Sequence, residues 1–307
     1  MGSRKQKIDI KEYAMLIALI VLVIVFSTAS RVFLTKGNII NILRQVSIMG
    51  ILAVGTAMVM ISGGIDLSLG SVVGVASVLV AVLINKDLSP VVAVLIALMA
   101  GAGIGALNGF LIADIGIVSM VATLGTNTIF RGVVYLITGG MPIYGLPKSF
   151  LFLGQGFLFG IPVPVLIMIL VFLLGHIILE KTVFGRRIYG IGGNSEASRL
   201  SGIPVKKTLH KVYILQGIMA AFAGIILLSR LNTGQPTSGI GYEMDVMTAT
   251  VLGGTSVSGG AGNIRGVIVG VLFVGVLANG MVLLDIPDFW QQVTKGVDME
   301  AAQKMAE

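Results

Sequence analysis

Residues 180–211 read EKTVFGRRIYGIGGNSEASRLSGIPVKKTLHK, the longest polar interruption in a chain that is otherwise mostly apolar. Seven of these residues are basic (Lys181, Arg186, Arg187, Arg199, Lys206, Lys207 and Lys211) and two are acidic (Glu180 and Glu196). The stretch therefore carries a net +5 of the chain's formal +7. A short helix is written inside it. Asn194 suits the N-cap, where its side-chain oxygen accepts from an otherwise unpaired backbone N–H. Glu196 falls in the first turn and Arg199 nearer the end, each placed as the helix dipole favours. Gly202 suits the left-handed position past the last turn, and Pro204 stops the helix from continuing. These signals predict a helix of about two turns over 195–201. Two readings are open for it: a docking element for a partner, or a solvated connector that happens to fold.

The rest of the chain fixes the setting. Of 307 residues, 55% are hydrophobic and only 11% charged, against roughly a quarter charged in soluble domains. Mean hydropathy is +0.99. The expected class is an all-α polytopic membrane protein. Its 42 glycines suit helices that approach closely where no hydrophobic effect drives them together. The chain has no cysteine, which excludes disulfides and thiolate metal sites. His176 and His210 stand far apart in sequence, so no metal centre is expected. The basic balance sits where the positive-inside rule puts it, and a nucleic-acid partner is not implied.

A membrane span needs about 20 predominantly apolar residues. Candidates lie at 13–33, 42–62, 69–84, 90–113, 117–138, 161–179, 211–229, 244–258 and 263–284. The third and eighth are short and rich in Gly or Ser, which allows a tilted, broken or re-entrant path. Residues 1–12 are expected as a cytoplasmic N-terminus (Arg4, Lys5, Lys7, Lys11), running into a retained first span rather than a cleaved leader. Six spans then return 180–211 to the cytoplasm. Arg31, Lys36 and Arg44 oppose this orientation, but the larger basic loop outweighs them. Residues 13–297 are expected as one transmembrane domain and 298–307, DMEAAQKMAE, as a polar tail.

Two segments would then face outward. Residues 139–160 carry five aromatics and one charge, Lys148, and read either as an interfacial belt or as a partner surface. Residues 230–243 are polar and turn-rich. A loose echo links ISGGIDLSLGS (61–71) with VLGGTSVSGG (251–260). Gly/Ser interruptions in matching halves are typical of pathways through repeat-built transporters.

No catalytic chemistry can be assembled. GxxxxGK[ST] is absent, and so are HExxH and GxSxG. Gly101-Ala-Gly-Ile-Gly105 lies inside an apolar helix with no preceding strand, so it reads as helix packing. So do the small-residue pairs Gly105/Gly109, Gly70/Gly74 and Gly266/Gly270. No cofactor is expected on this chain. What remains is a set of polar residues at membrane depth, which normally face a cavity or one another. Asp66, Asn108, Asn127, Arg131 and Asn279 are the candidates for a translocation path, with Gln216 also deep. Asp66, Asp114 and Asp245 fall near span ends, where capping is the expected role. Asn127 and Arg131 share a helical face, and structural bonding and pathway lining are both open for them. No carboxylate is clearly central, which counts against a carrier driven by its own ion gradient.

The sequence resembles the permease subunits of bacterial binding-protein-dependent ABC importers, in the branch that carries ribose, galactose, xylose and autoinducer-2-type sugars. The resemblance runs from about residue 35 to 297 and is carried by NIINILRQVSIMGILAVGTAMVMISGGIDLSLGSVVG (38–74), SMVATLGTNTIFRGVVYLITGG (119–140), TVFGRRIYGIGGNSEASRLSGIPV (182–205) and TATVLGGTSVSGGAGNIRGVIVGVLFVGVLANGMVLL (248–284). It implies a helical fold usually of ten spans in the bacterial inner membrane, without catalytic activity of its own. It implies a second permease subunit, identical or related, separate ATPase subunits that use the ATP, and an external solute-binding protein. By position, Gly193, Asn194, Glu196, Ala197, Leu200, Ser201, Gly202 and Ile203 would couple the chain to the ATPase. The family continues into one more apolar helix where this chain has 298–307, so about nine spans are expected, with the tenth missing or replaced. Alternatives to ATP-driven import are a secondary carrier powered by an ion gradient and a truncated permease without transport.

Overall fold

The computed structural model describes residues 10–287 together with Trp290, Val293, Thr294 and Gly296. Residues 1–9 and the expected tail 298–307 lie outside the described residues. The elements are α1 (Ile10–Ala29), α2 (Lys36–Ile61), α3 (Leu69–Asn85), α4 (Pro90–Ala113), α5 (Ser119–Thr138), α6 (Lys148–Gln155), β1 (Phe157–Leu158), β2 (Ile161–Pro162), α7 (Val163–Lys181), α8 (Val183–Gly193), α9 (Ser195–Leu200), α10 (Val205–Leu231), α11 (Tyr242–Leu252) and α12 (Ile264–Leu283). The two strands pair only with each other in a minimal antiparallel hairpin. The all-α membrane class is as expected.

Six of the helices, α2, α4, α5, α7, α10 and α12, are long and apolar enough to cross a bilayer, and Ala14–Ala29 and α3 are shorter apolar helices. Their starts follow local chemistry. Thr35 caps α2, Ser89 caps α4 with Pro90 in its first turn, and Asn263 caps α12 by accepting from the Gly266 amide at 2.7 Å. The short candidate at 244–258 becomes α11, only 11 residues. That is about 16 Å, half of a bilayer core. Gly241 precedes it at φ 86°, and Gly254 follows at φ 83°. These left-handed positions suit glycine, which lacks a Cβ. α11 is therefore a half-helix entered through the non-helical segment 232–241.

Helices α2 and α10 form the centre. α10 packs on α4, α3 and α2, while α2 also meets α7, α12 and α11. Ile48, Ile51, Leu52, Ala57, Ile225, Ile226 and Leu228 are fully buried there. The outer helices turn large apolar side chains outward, such as Leu95, Val121, Leu136 and Leu170, a surface suited to lipid. The bundle has two recognisable ends. At the basic end α7 runs into α8 and α9 and the C-terminus of α4 meets the start of α10, whereas α6 and the hairpin lie at the other, called here the far end.

Helices α4 and α10 meet along a stripe of small residues. A Cβ added to Gly101 would stand 2.5 Å from both the Ala221 Cβ and the Gly217 carbonyl oxygen, and one on Gly105 would run into the Tyr213 carbonyl. Gly109 meets the His210 backbone in the same way. On the opposite edge of α4, Gly103 faces open space. The stripe thus draws α4 against α10 backbone to backbone, as expected of glycines at this spacing. Gly105→Ala should destabilise the folded chain by about 1–3 kcal/mol, the usual cost of overpacking. Gly103→Ala should be neutral or slightly stabilising, because alanine is the better helix former. Thermal unfolding of the detergent-solubilised variants checks both.

Candidate functional site

At the basic end the chain turns sharply from α7 into α8, where the Thr182 hydroxyl accepts from the Gly185 amide at 3.1 Å. α8 is an amphipathic helix with Ile188 and Ile191 buried. The polar pattern of its sequence had concealed it within a loop. Asn194 then breaks direction with φ −160°, and its Oδ1 accepts from the Ala197 amide at 2.8 Å. α9 ends at Leu200, one residue short of the expected 195–201. Ser201 is its C-cap, because its amide bonds back to the Ala197 carbonyl at 3.0 Å.

The end of α9 is fully closed. Gly202 takes φ 81°. Its amide bonds the Arg199 carbonyl while the Ile203 amide bonds the Ser198 carbonyl, each at 3.0 Å. These two bonds are the Schellman pattern, which satisfies carbonyls the helix leaves orphaned. Across one turn, Arg199 donates to both oxygens of Glu196 at 2.9 and 2.5 Å. This hydrogen bond, ahead of the charge itself, holds the Glu196 carboxyl below its ordinary range and raises the Arg199 guanidinium. Gly193, Asn194, Glu196, Ala197, Leu200, Ser201 and Gly202 are all exposed, and Ile203 is half-buried. Ser198 alone in α9 turns inward. Leu200, an apolar side chain, is 74% exposed.

Behind α9 three glycine-rich segments meet. The Gly260 amide donates to the Ile61 carbonyl at 2.9 Å, tying the loop after α11 to the end of α2. A Cβ on Gly192 would strike the Ile61 carbonyl oxygen and stand 2.5 Å from the Gly260 nitrogen. A Cβ on Gly259 would come within 2.8 Å of the Gly63 Cα. The Tyr189 hydroxyl donates to the Gly262 carbonyl at 2.8 Å. The two echoing segments of the sequence therefore touch, and the GGNSE stretch closes the junction. Repetition of Gly-Gly in all three motifs was the available signal, and only two of the three had been connected.

The expected path residues fall into three separate places. Asp66 is buried, not near a solvated end, and is no helix cap. Its Oδ1 accepts from the Ser68 amide at 2.8 Å and the Ser68 hydroxyl at 2.6 Å. Asn108 donates to the same Ser68 hydroxyl at 2.8 Å and accepts from Thr126 at 2.8 Å, joining the α2–α3 linker to α4 and α5. Arg131 reaches three backbone carbonyls: Pro236 at 2.9 Å, Ser238 at 2.8 Å and Gly70 at 2.9 Å. It clamps the non-helical 232–241 segment against the start of α3. Asn127, one turn earlier, has a buried Oδ1 without a partner. Asn279 belongs to neither group. It exchanges two amide hydrogen bonds with Asn38, both 2.9 Å, and fastens α12 to α2. Gln216 is fully buried and donates to Thr56 at 3.1 Å.

Each histidine has one carboxylate. His176 Nδ1 lies 3.0 Å from Glu180, and His210 Nε2 lies 2.5 Å from Asp114, which Lys206 also approaches at 3.5 Å. The hydrogen bond from His210, more than either positive charge, holds the Asp114 carboxyl below its usual range. Asp114 is the C-cap of α4, the role expected near a span end, and its carboxylate also links that helix to α10. Among the described residues no group of three His, Asp or Glu could hold a metal.

Comparison with known proteins places this architecture. The family described as "Branched-chain amino acid transport system / permease component" matches residues 38–299. The ribose import permease protein RbsC of Bacillus subtilis (strain 168) is 45% identical over 283 residues, covering 92% of this chain and 88% of that protein. RbsC of Escherichia coli (strain K12) is 43% identical over 93% of the chain and 90% of its own. The L-arabinose transport system permease protein AraH of the same strain is 40% identical over 95% and 89%. No solved structure matches the chain at a significant level. With a family match over 38–299 and relatives at 40–45% identity along nearly its whole length, the chain belongs to the family of branched-chain amino acid transport system permease components.

Proposed function

We propose that this chain is the translocation subunit of an ABC importer for a sugar, driven by ATP hydrolysis on separate subunits and fed by an external solute-binding protein. The relatives are named for ribose and L-arabinose, which favours a pentose among the sugars. The chain itself brings no cofactor and no catalytic step. Its basic end faces the cytoplasm, with the N-terminus on the same side, as the positive charge of 180–211 favours.

The observation that carries the mechanism is the position of α9. The helix is closed at both ends and exposed along its outer face, and its base rests on the glycine junction. Ala197, Leu200 and Ser201 offer a small apolar-edged face to a groove on the ATPase. Gly193, Asn194, Glu196, Gly202 and Ile203 shape and hold it. Displacement of α9 would press on backbone at Gly63 and Gly260 with no flexible side chain between, and so bear directly on α2, α3, α11 and α12. The charged residues around the loop would steer the encounter more than bind. On α5, Gly125 and Gly132 have open space before them, a surface that admits a helix of a second permease subunit.

Within the bundle, Arg131 with Asn127 beside the broken segment 232–241, and Asp66 with Asn108 at the α2–α3 linker, would border the path. Arg131 acts there by holding carbonyls in place, and Asn279 serves the α2–α12 contact.

Reconstitution with the ATPase and binding protein tests the coupling. Replacing both Ala197 and Leu200 by Asp should abolish sugar uptake and the stimulation of ATP hydrolysis by loaded binding protein, while the chain still inserts and unfolds normally. Unchanged stimulation in that variant, or ATP binding by this chain alone, would rule the reading out.

Arg131→Met should cost about 3 kcal/mol or more, since three carbonyls lose charge-assisted donors. Arg131→Lys, with one ammonium for three acceptors, should fall between. Thermal unfolding and uptake measured together on the two variants check the order.

A further inference from the structure

Between α8 and α10, at the basic end, lies a pocket of about 440 Å³ whose lining includes Phe184, Arg187, Lys207, Lys211, Ile214 and Leu215. Its composition is divided by depth. Lys207 and Lys211 stand one turn apart near the start of α10, and Arg187 faces them from α8. Ile214 and Leu215 lie further along α10, about 10–12 Å beyond Lys207 at the helical rise, and Phe184 joins them from the first turn of α8.

Among the described residues the three cations have no counter-charge. Each nearby carboxylate is engaged elsewhere: Asp114 by His210 and Lys206, Glu196 by Arg199, and Glu180 by His176. Among the described residues neither Arg187, Lys207 nor Lys211 forms an ion pair, and no acidic residue lines the pocket. Like charges gathered at one mouth repel unless an anion sits among them. The apolar floor asks for something different, because it lies where α10 enters the membrane-facing part of the bundle.

We infer that this pocket binds an anionic phospholipid of the leaflet on the basic side. Arg187, Lys207 and Lys211 take the phosphate, and Phe184, Ile214 and Leu215 take the first methylenes of a chain. Basic pockets between membrane helices on the cytoplasmic side suit such headgroups, and guanidinium is well matched to phosphate geometry. An acidic protein surface would meet the cations but leave the floor empty, and a free oxyanion would do the same. The inference rests only on the multi-pass membrane fold and stands whether or not the chain carries sugar.

The purified chain can be delipidated in detergent and mixed with phosphatidylglycerol or phosphatidylcholine of identical chains, and bound lipid counted by native mass spectrometry. Phosphatidylglycerol should be retained in preference, at about one per chain. Surface basic residues contribute roughly a fivefold affinity factor each, so Lys207→Gln with Lys211→Gln should lower that retention about thirtyfold. Both side chains are exposed, so the fold should survive, which the thermal transition verifies. Lys86→Gln, at the far end, removes one charge elsewhere and should change nothing. Glycerophosphoglycerol and inorganic phosphate, which lack acyl chains, should not displace the lipid.

Equal retention of the two lipids, or indifference to the double substitution, would overturn the proposal. Displacement by free phosphate would replace it with a simple oxyanion site. Release of the lipid only when the cognate ATPase is added would leave it standing and show that the two compete. Failure of phosphatidylglycerol to bind at any concentration, with the ATPase bound at the same lysines, would assign the pocket to that partner.

Discussion

Much of this structure depends on one constraint, the contact of bare backbone at the glycine junction. Ile61, Gly63, Gly192, Gly259 and Gly260 bring the ends of α2, α8 and the α11–α12 loop within van der Waals distance. A side chain at Gly192 would have to enter the Ile61 carbonyl, so the three segments can meet only if all three are glycine-rich. That requirement explains why Gly-Gly recurs at the break after α2, at the entry to α9 and after α11. It also explains why those helices stop where they do. Each must end early enough to deliver its loop to the same point.

The same economy governs the middle of the bundle. A membrane interior cannot hydrate a broken helix, so non-helical backbone there needs internal partners. Segment 232–241 finds them in Arg131, whose planar guanidinium serves Pro236, Ser238 and Gly70 at once. The Asp66–Ser68–Asn108–Thr126 chain does the same for the break between α2 and α3. Both breaks are bridged from α5, so that helix, though mostly exposed, sets the geometry of the interior.

Much of this was legible in the sequence. The class, most of the spans, the caps of α9 and the packing role of Gly101, Gly105 and Gly109 follow from composition, hydropathy and local backbone chemistry. The half-helix α11 was legible as a span too short and too rich in glycine and serine. What escaped has a common physical cause. α8 is amphipathic against a surface made by other segments, so its own residues read as a polar loop. Asp66 looked solvent-near because its distance from a span end is short, yet neighbouring helices cover that end. Asn279 read as a path residue, but its partner is 241 positions away in sequence, and no local pattern foretells such a pair.

The half-helix has an electrical consequence. The N-terminus of α11 points its partial positive charge into the interior, beside the guanidinium of Arg131. Glu243 in the first turn of α11 lies against Gly70, whose carbonyl accepts from Arg131, and three carbonyl dipoles face that cation. Positive and negative groups therefore sit close together there. The entry to the half-helix thus gathers a cation, a carboxylate and a helix N-terminus around backbone carbonyls at one place.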